Sequence, residues 1–357
     1  MSLPEPVEAY EPGERFRAEI HEQPEALRRL LVHEAEFARV AHVMRKRGPL
    51  VRIVGHGSSD NAATYGVYAF GVLAGCTALR DSIALTVYFD AAFDLAGSTV
   101  VGLSQSGQTP DVVEYLRRAR RRGAFTVAVT NEPASALAEV AEAVLPLEAG
   151  PELAVAATKT YLNQLAALAL LAANVGDNGR RVVRGVRSTA DQLAEVLPAI
   201  EAQAQAVALA FAYVGRMFVI GRGFEFSTAR ETALKLLETC RVAASPLTAT
   251  DLAHGPVAVL DPLFPVWTIA SQDATLSAVR EASARVREFG STIVACGNAA
   301  DAVDGAAYRL RVPVPDVPLL SPLLSVVPGQ LFAAALARSK GFDPDRPRGL
   351  SKVTLAQ

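Results

Sequence analysis

The chain has 357 residues, half of them apolar and a fifth charged, with a formal net charge of −2. Such a length exceeds what one hydrophobic core usually serves, so two domains are expected. The near-neutral balance leaves no electrostatic footprint for DNA, RNA or an anionic membrane, so no nucleic-acid or membrane partner is expected.

Taken in chain order, the acidic, proline-bearing N-terminus lacks an apolar signal region, and no uninterrupted apolar run reaches about 18 residues. Residues 14–46 carry Leu27, Leu30, Leu31, Phe37 and Val40 at helical spacing. Leu50–Val54 reads as a strand and is followed by the glycine-hydroxyl turn Gly55-His56-Gly57-Ser58-Ser59. This turn is not a dinucleotide fingerprint, because the third glycine of that pattern is missing and Asp60 stands in its place.

The run Thr99–Leu103 then ends in Ser104-Gln105-Ser106-Gly107-Gln108-Thr109, and an amphipathic stretch begins at Pro110-Asp111. Strand, tight loop and helix start is the order in which unpaired N–H groups and the helix dipole converge on an anion. Ser104, Ser106 and Thr109 add neutral donors there. A plain helix cap needs one hydroxyl, and this loop offers three. The arginine run at 117–122 falls on the back half of the predicted helix and reads as a solvated face.

Phe125–Val129 and Ala143–Leu147 continue the alternation, and an Ala-rich helical region follows. The pattern returns with Met217–Ile220, Val266–Ala270, Thr292–Ala295 and Tyr308–Val312. Short apolar strands separated by helices indicate parallel sheets covered on both faces. Gly221-Arg222-Gly223 echoes the Gly55 turn, which suggests a weak duplication with a boundary near residues 180–205. Where the first half has its hydroxyl-rich loop, the second has Ser271-Gln272-Asp273-Ala274-Thr275. Asp273 would repel a phosphate, so one phosphate site per chain is expected.

Phe226–Cys240 reads as a helix with Glu231, Lys235 and Glu238 on one face. A carboxylate on a largely apolar helix can serve as a general base. The plainer reading is an exposed Glu231–Lys235 salt bridge worth roughly a few tenths of a kcal/mol. His254, in the loop His254-Gly255-Pro256, adds a near-neutral proton carrier of the kind that sugar ring opening needs. Cys76, Cys240 and Cys296 are far apart and odd in number, which fits a reducing cytoplasm. No cluster of His, Cys and carboxylates suggests a metal, and no cofactor is expected.

Five ordered motifs carry a resemblance: Leu103–Thr109, Ala154-Val155-Ala156-Ala157-Thr158-Lys159, Ala233–Glu238, His254–Pro256 and Leu350–Thr354. Together they resemble the double sugar isomerase (SIS) domain of glucosamine-6-phosphate synthase. Glu19–Pro24 is similar to the start of that isomerase half. The resemblance implies two flavodoxin-like α/β/α domains, each with a parallel sheet, at 15–185 and 205–340, and a homodimer. The tail, 341–357, is implied to be an ordered strap over the active site.

By the same resemblance Ser104, Gln105, Ser106 and Thr109 hold a sugar phosphate, with Ser58 or Ser59 assisting, and Val155 and Ala157 line the sugar. Glu238 matches the base that moves a proton between C1 and C2. His254 matches a ring-opening histidine supplied by the neighbouring subunit. Lys235 matches a lysine near the enediol oxygens, and Lys352 one that contacts the open-chain sugar.

Departures from the synthase include His56 in place of a cysteine, Ala157 in place of a serine and Ser245 in place of a glutamate. No glutaminase segment or N-terminal cysteine nucleophile is present, so this chain alone is not expected to draw ammonia from glutamine. Stand-alone relatives, the second type of glucosamine-6-phosphate deaminase and the fructosamine-6-phosphate deglycases, are closer in kind. An aldose–ketose isomerase and a non-catalytic phosphosugar-binding regulator are the alternatives.

Overall fold

A computed structural model describes residues 11–352. Three helices, α1 (Glu14–His21), α2 (Gln23–Leu30) and α3 (Glu34–Arg47), precede the first sheet. The expected single helical region over 14–46 is therefore broken twice. Pro24 lacks an N–H and starts α2, and a 3-10 turn at Leu31–His33 ends it.

The first half then runs β1 (Leu50–Val54), α4 (Ser58–Ala74), β2 (Thr77–Arg80), α5 (Ile83–Val87) and β3 (Ser98–Ser104). It continues with α6 (Pro110–Arg121), β4 (Phe125–Thr130), α7 (Ala136–Val140) and β5 (Ala143–Pro146). Two long helices follow, α8 (Lys159–Val175) and α9 (Gly179–Ala210). The second half runs β6 (Arg216–Gly221), α10 (Glu225–Cys240), β7 (Ala243–Thr248), β8 (Val266–Ile269) and α11 (Leu276–Glu288). It closes with β9 (Ile293–Gly297), β10 (Tyr308–Arg311) and α12 (Ser321–Ser339).

Both sheets have five parallel strands, ordered β2-β1-β3-β4-β5 and β7-β6-β8-β9-β10. The two orders are the same doubly wound pattern, so the duplication is topological as well as local. The eight strands read from the sequence are present within two residues of their expected ends. The edge strands β2 and β7 were not anticipated. Both are mostly half-exposed or exposed, and Pro246 in β7 is tolerated because an edge strand leaves one side of its ladder free.

Residues 180–205, the expected boundary, lie inside the continuous helix α9, which packs on both α2 and α12. The segment Pro318–Ser339 is long and apolar enough to span a bilayer, yet 94% of its most apolar window is buried within the protein. Ser325, Pro328 and Gln330 interrupt it, and it serves as a core helix against α9 and α10. Of the arginine run, Arg117 and Arg118 pair with Glu114, and Arg118 and Arg122 with Asp90.

What positions the site is the reversal of strand order between β1 and β3. In such sheets the loops at the carboxyl ends of the two central strands part and leave a crevice. Val54 pairs with Gly102, which sets the Gly55–Ser59 turn directly beside the Leu103–Thr109 loop. Gly107 has φ +63°, and a Cβ there would meet Ser135 Oγ at 1.9 Å, so only glycine lets this loop close against the start of α7.

Candidate active site

Three segments of the first half, one helix of the second and Lys352 of the C-terminal tail meet around a cavity of about 470 Å³, within the range of small-molecule sites. The first is the β3–α6 loop. Ser104 Oγ lies 3.1 Å from Thr109 Oγ1 and accepts the Gly107 N–H at 3.1 Å, and Ser106 Oγ accepts the Gln108 N–H at 3.2 Å. Thr109 is the N-cap of α6 but makes no side-chain cap bond, so the cap reading fails. Ser104 and Ser106 each already accept one backbone N–H, and the Ser104–Thr109 pair spends one of its two protons on the bond between them. That leaves the other proton of the pair, the Ser106 O–H and the first N–H groups of α6 to donate to an anion.

The second segment is the β1–α4 turn, and here the two serines separate. Ser58 Oγ donates to Glu231 Oε1 at 2.8 Å, so its proton is committed. Ser59 Oγ accepts from Gln164 Nε2 at 2.9 Å and keeps its own proton to donate. Both line the cavity. His56, at the same turn, sits 3.5 Å from Asp111 Oδ2, while Tyr88 Oη donates to Asp111 Oδ1 at 2.9 Å.

The third segment is the stretch before α8, which brings Val155 and Ala157 to the wall. Its Glu152 is buried and accepts the N–H groups of Thr158 and Thr160 at 2.9 and 3.1 Å and the Thr160 hydroxyl at 2.7 Å. Lys352 Nζ, from the C-terminal tail, donates to Glu152 Oε2 at 2.8 Å and to the Ala154 carbonyl at 2.7 Å. Burial alone would raise the Glu152 pKa, but the Lys352 ammonium and these donors outweigh it and hold the carboxyl below its ordinary range. Of the described tail, Lys352 reaches the wall of the cavity. Residues 353–357 of the predicted strap, Thr354 among them, lie outside the described residues.

Helix α10 supplies the fourth wall with Glu238, whose side chain is 19% exposed. Behind it Lys235 Nζ is 2.7 Å from Glu238 Oε2 and 3.3 Å from Glu231 Oε1. Glu231 also accepts from Asn61 Nδ2 at 2.8 Å, which pins α10 to α4 across the two halves. Glu231 and Lys235 are both 0% exposed, so the surface salt-bridge reading is overturned.

Desolvation raises the Glu231 pKa despite Lys235, Asn61 and Ser58. Desolvation would lower that of Lys235, but the two carboxylates more than offset it, and its pKa stands above the ordinary value.

The cavity thus brings together Ser104, Gln105, Ser106, Thr109, Ser58, Ser59, Val155, Ala157, Glu238 and Lys352. Two predicted residues do not line it. Lys235 reaches the cavity only through Glu238 and Ser58. His254 is exposed at the end of a 3-10 turn, Asp251–His254, away from the cavity of its own chain.

Sequence reasoning missed Glu152 and Gln164, whose only signal is a polar residue in an otherwise apolar stretch. Among the described residues no group of three or more His, Cys, Asp or Glu side chains could hold a metal ion.

In the second half the equivalent loop is closed from within. Ser271 and Ser325 hydroxyls donate to Glu225 Oε1 at 2.5 and 2.9 Å, and Thr228 donates to Oε2 at 2.7 Å. Asp273 meanwhile caps Thr275. A buried carboxylate already uses the donors that an anion would need.

Two sheets of identical topology, with one polar cleft between a hydroxyl-lined helix start and a buried carboxylate–lysine cluster, define a duplicated doubly wound α/β protein. The chain belongs to the SIS domain family, whose model matches residues 51–174 and 210–339.

It is 34% identical over 352 residues to a glutamine–fructose-6-phosphate aminotransferase (isomerizing) of Aeropyrum pernix, covering 95% of this chain and 57% of that protein. This chain thus spans less than two thirds of that relative. A solved structure from Silicibacter pomeroyi, described as a candidate phosphosugar isomerase, superposes with a TM-score of 0.82 at 34% identity, over 93% of this chain and 99% of that one. A glucosamine-6-phosphate deaminase of Thermotoga maritima shares the fold, with a TM-score of 0.74 at 20% identity over 96% of this chain and 100% of that one.

Proposed function

We propose that the protein is a phosphosugar isomerase that acts as a deaminase, converting glucosamine 6-phosphate to fructose 6-phosphate and ammonia. The observation that carries this reading is the presence of Glu238 and the Ser104–Thr109 loop on walls of one cavity. The loop anchors the phosphate. Its remote binding energy orients the C1–C2 unit of the open-chain sugar against Glu238.

Glu238 takes the C2 proton, the C1 carbonyl oxygen is protonated, and an enolamine forms. Return of a proton to C1 gives the 2-imine of fructose 6-phosphate. Water adds to C2, and ammonia leaves. Lys352 Nζ, fixed on Glu152 and Ala154, presents a cation to the sugar oxygens.

The test is to incubate the protein with glucosamine 6-phosphate and follow ammonia and fructose 6-phosphate together. Equal release of both is expected. Sugar interconversion without ammonia would assign an aldose–ketose isomerase instead, and binding without turnover a regulator.

His254 fits the same reading only if a second copy supplies it, because it is exposed and absent from its own cavity. The working unit is then a homodimer with shared sites. Glu238→Ala and His254→Ala variants, each inactive alone, should regain activity when mixed and allowed to exchange subunits. A mixture as inactive as its parts would reject the shared site.

A further inference from the structure

Glu19, on α1, plays no part in the chemistry above, yet it is 4% exposed and holds the wall of the cavity. Its Oε1 accepts the N–H of Leu153 and, at 3.3 Å, that of Ala154, and its Oε2 is 3.4 Å from the same Ala154 nitrogen. The carbonyl of Ala154 receives Lys352 Nζ at 2.7 Å. The neighbouring Val155 N–H donates to the Asp345 carbonyl at 3.1 Å. Ala154 is therefore gripped by Glu19 at its N–H and by Lys352 at its carbonyl, and the residues that follow, Val155 and Ala157, face the cavity.

From this geometry we infer that Glu19 is a positioning residue, which as a carboxylate fixes the 152–157 segment and the seat of Lys352 and, when protonated, loosens both. The inference rests on the reading of this cavity as a phosphosugar site. A carboxylate accepts at both oxygens, whereas a protonated acid turns one oxygen into a donor and loses the Oε2 contact to Ala154.

The burial of Glu19 makes that change accessible near neutrality. Among the described residues no charged side chain hydrogen-bonds it. Burial raises its pKa to about 7, with the Glu152 charge adding to the rise, while the Leu153 and Ala154 amides and Lys352 oppose it. The other charged groups nearby are engaged elsewhere, Glu22 with Lys159, His21 with Glu201, and Asp345 with the amides of Gly13 and Phe16.

The experiment compares wild type with Glu19→Gln, whose amide reproduces the protonated acid at every pH. Hydrogen exchange at Leu153 and Ala154, corrected for intrinsic rate, is followed from pH 5.5 to 8.5, and fructose 6-phosphate binding is measured by calorimetry over the same range. Wild type should gain protection and bind tighter than the variant by about five-fold at pH 8.5, a part of one charge-assisted hydrogen bond, and match it at pH 5.5.

A wild-type to variant ratio that stays constant with pH would overturn the role of Glu19 and leave the phosphosugar reading standing. No binding by wild type at any pH would overturn that reading and this proposal together. If Glu19→Gln does not fold, the wild-type exchange profile decides, and a profile flat across pH 7 would sink the proposal.

Discussion

Glu238→Gln is expected to lower kcat about 10²–10⁴-fold while KM for the sugar phosphate and thermal stability stay close to wild type. The amide keeps the size of the side chain and its place on the last turn of α10, but it cannot carry a proton between C1 and C2. The stability expectation follows from Lys235. Its ammonium retains Glu231 at 3.3 Å when Glu238 is neutralised, so no uncompensated buried charge is created. The Ser104–Thr109 loop, the proposed phosphate anchor, contains none of these groups, which keeps binding intact. Steady-state kinetics with a parallel melting curve separates these effects. A kcat within ten-fold of wild type would place the base elsewhere in the cavity.

Lys235→Met should cost far more in stability than a surface ion pair, about 3–5 kcal/mol. The methionine fills the space but leaves Glu231 buried with no counter-charge, held only by Ser58 and Asn61. The loss should depend on pH in a defined direction. Glu231 already has a raised pKa in the folded protein, so folding favours its protonated form, and its ionisation costs stability as pH rises through that pKa. Removing Lys235 raises it further. The deficit of the variant should therefore be larger at pH 8 than at pH 5. Urea unfolding at the two pH values checks this. An equal deficit at both would mean that packing, and not charge, explains the loss.

These two residues show how the helix face was legible and its setting was not. Spacing alone put Glu231, Lys235 and Glu238 on one side of α10. An amphipathic helix with charges at that interval usually turns them to solvent, and nothing local says otherwise. The packing of α4 on α10 brings Asn61 and Ser58 over Glu231 and removes water from the cluster. The pair of serines behaves alike. Ser58 and Ser59 are equivalent in the sequence, and only their distant partners, Glu231 and Gln164, decide which keeps a free proton.

Local chemistry in the sequence determined the parallel α/β class, the central strands, the hydroxyl-rich helix start and the repeated Gly-x-Gly turns. Strand and helix periodicity and tight-turn glycines are short-range requirements, and they leave their mark within a few residues. The tertiary structure decided what depends on distant segments meeting. It placed the edge strands, ran the connection between the two halves through helix α9, buried Glu19, Glu152 and Glu231, and docked Lys352 on Glu152, 200 residues away. Burial and the pairing of buried charges are set by contacts between segments far apart in the chain, and neither residue type nor spacing encodes those contacts locally.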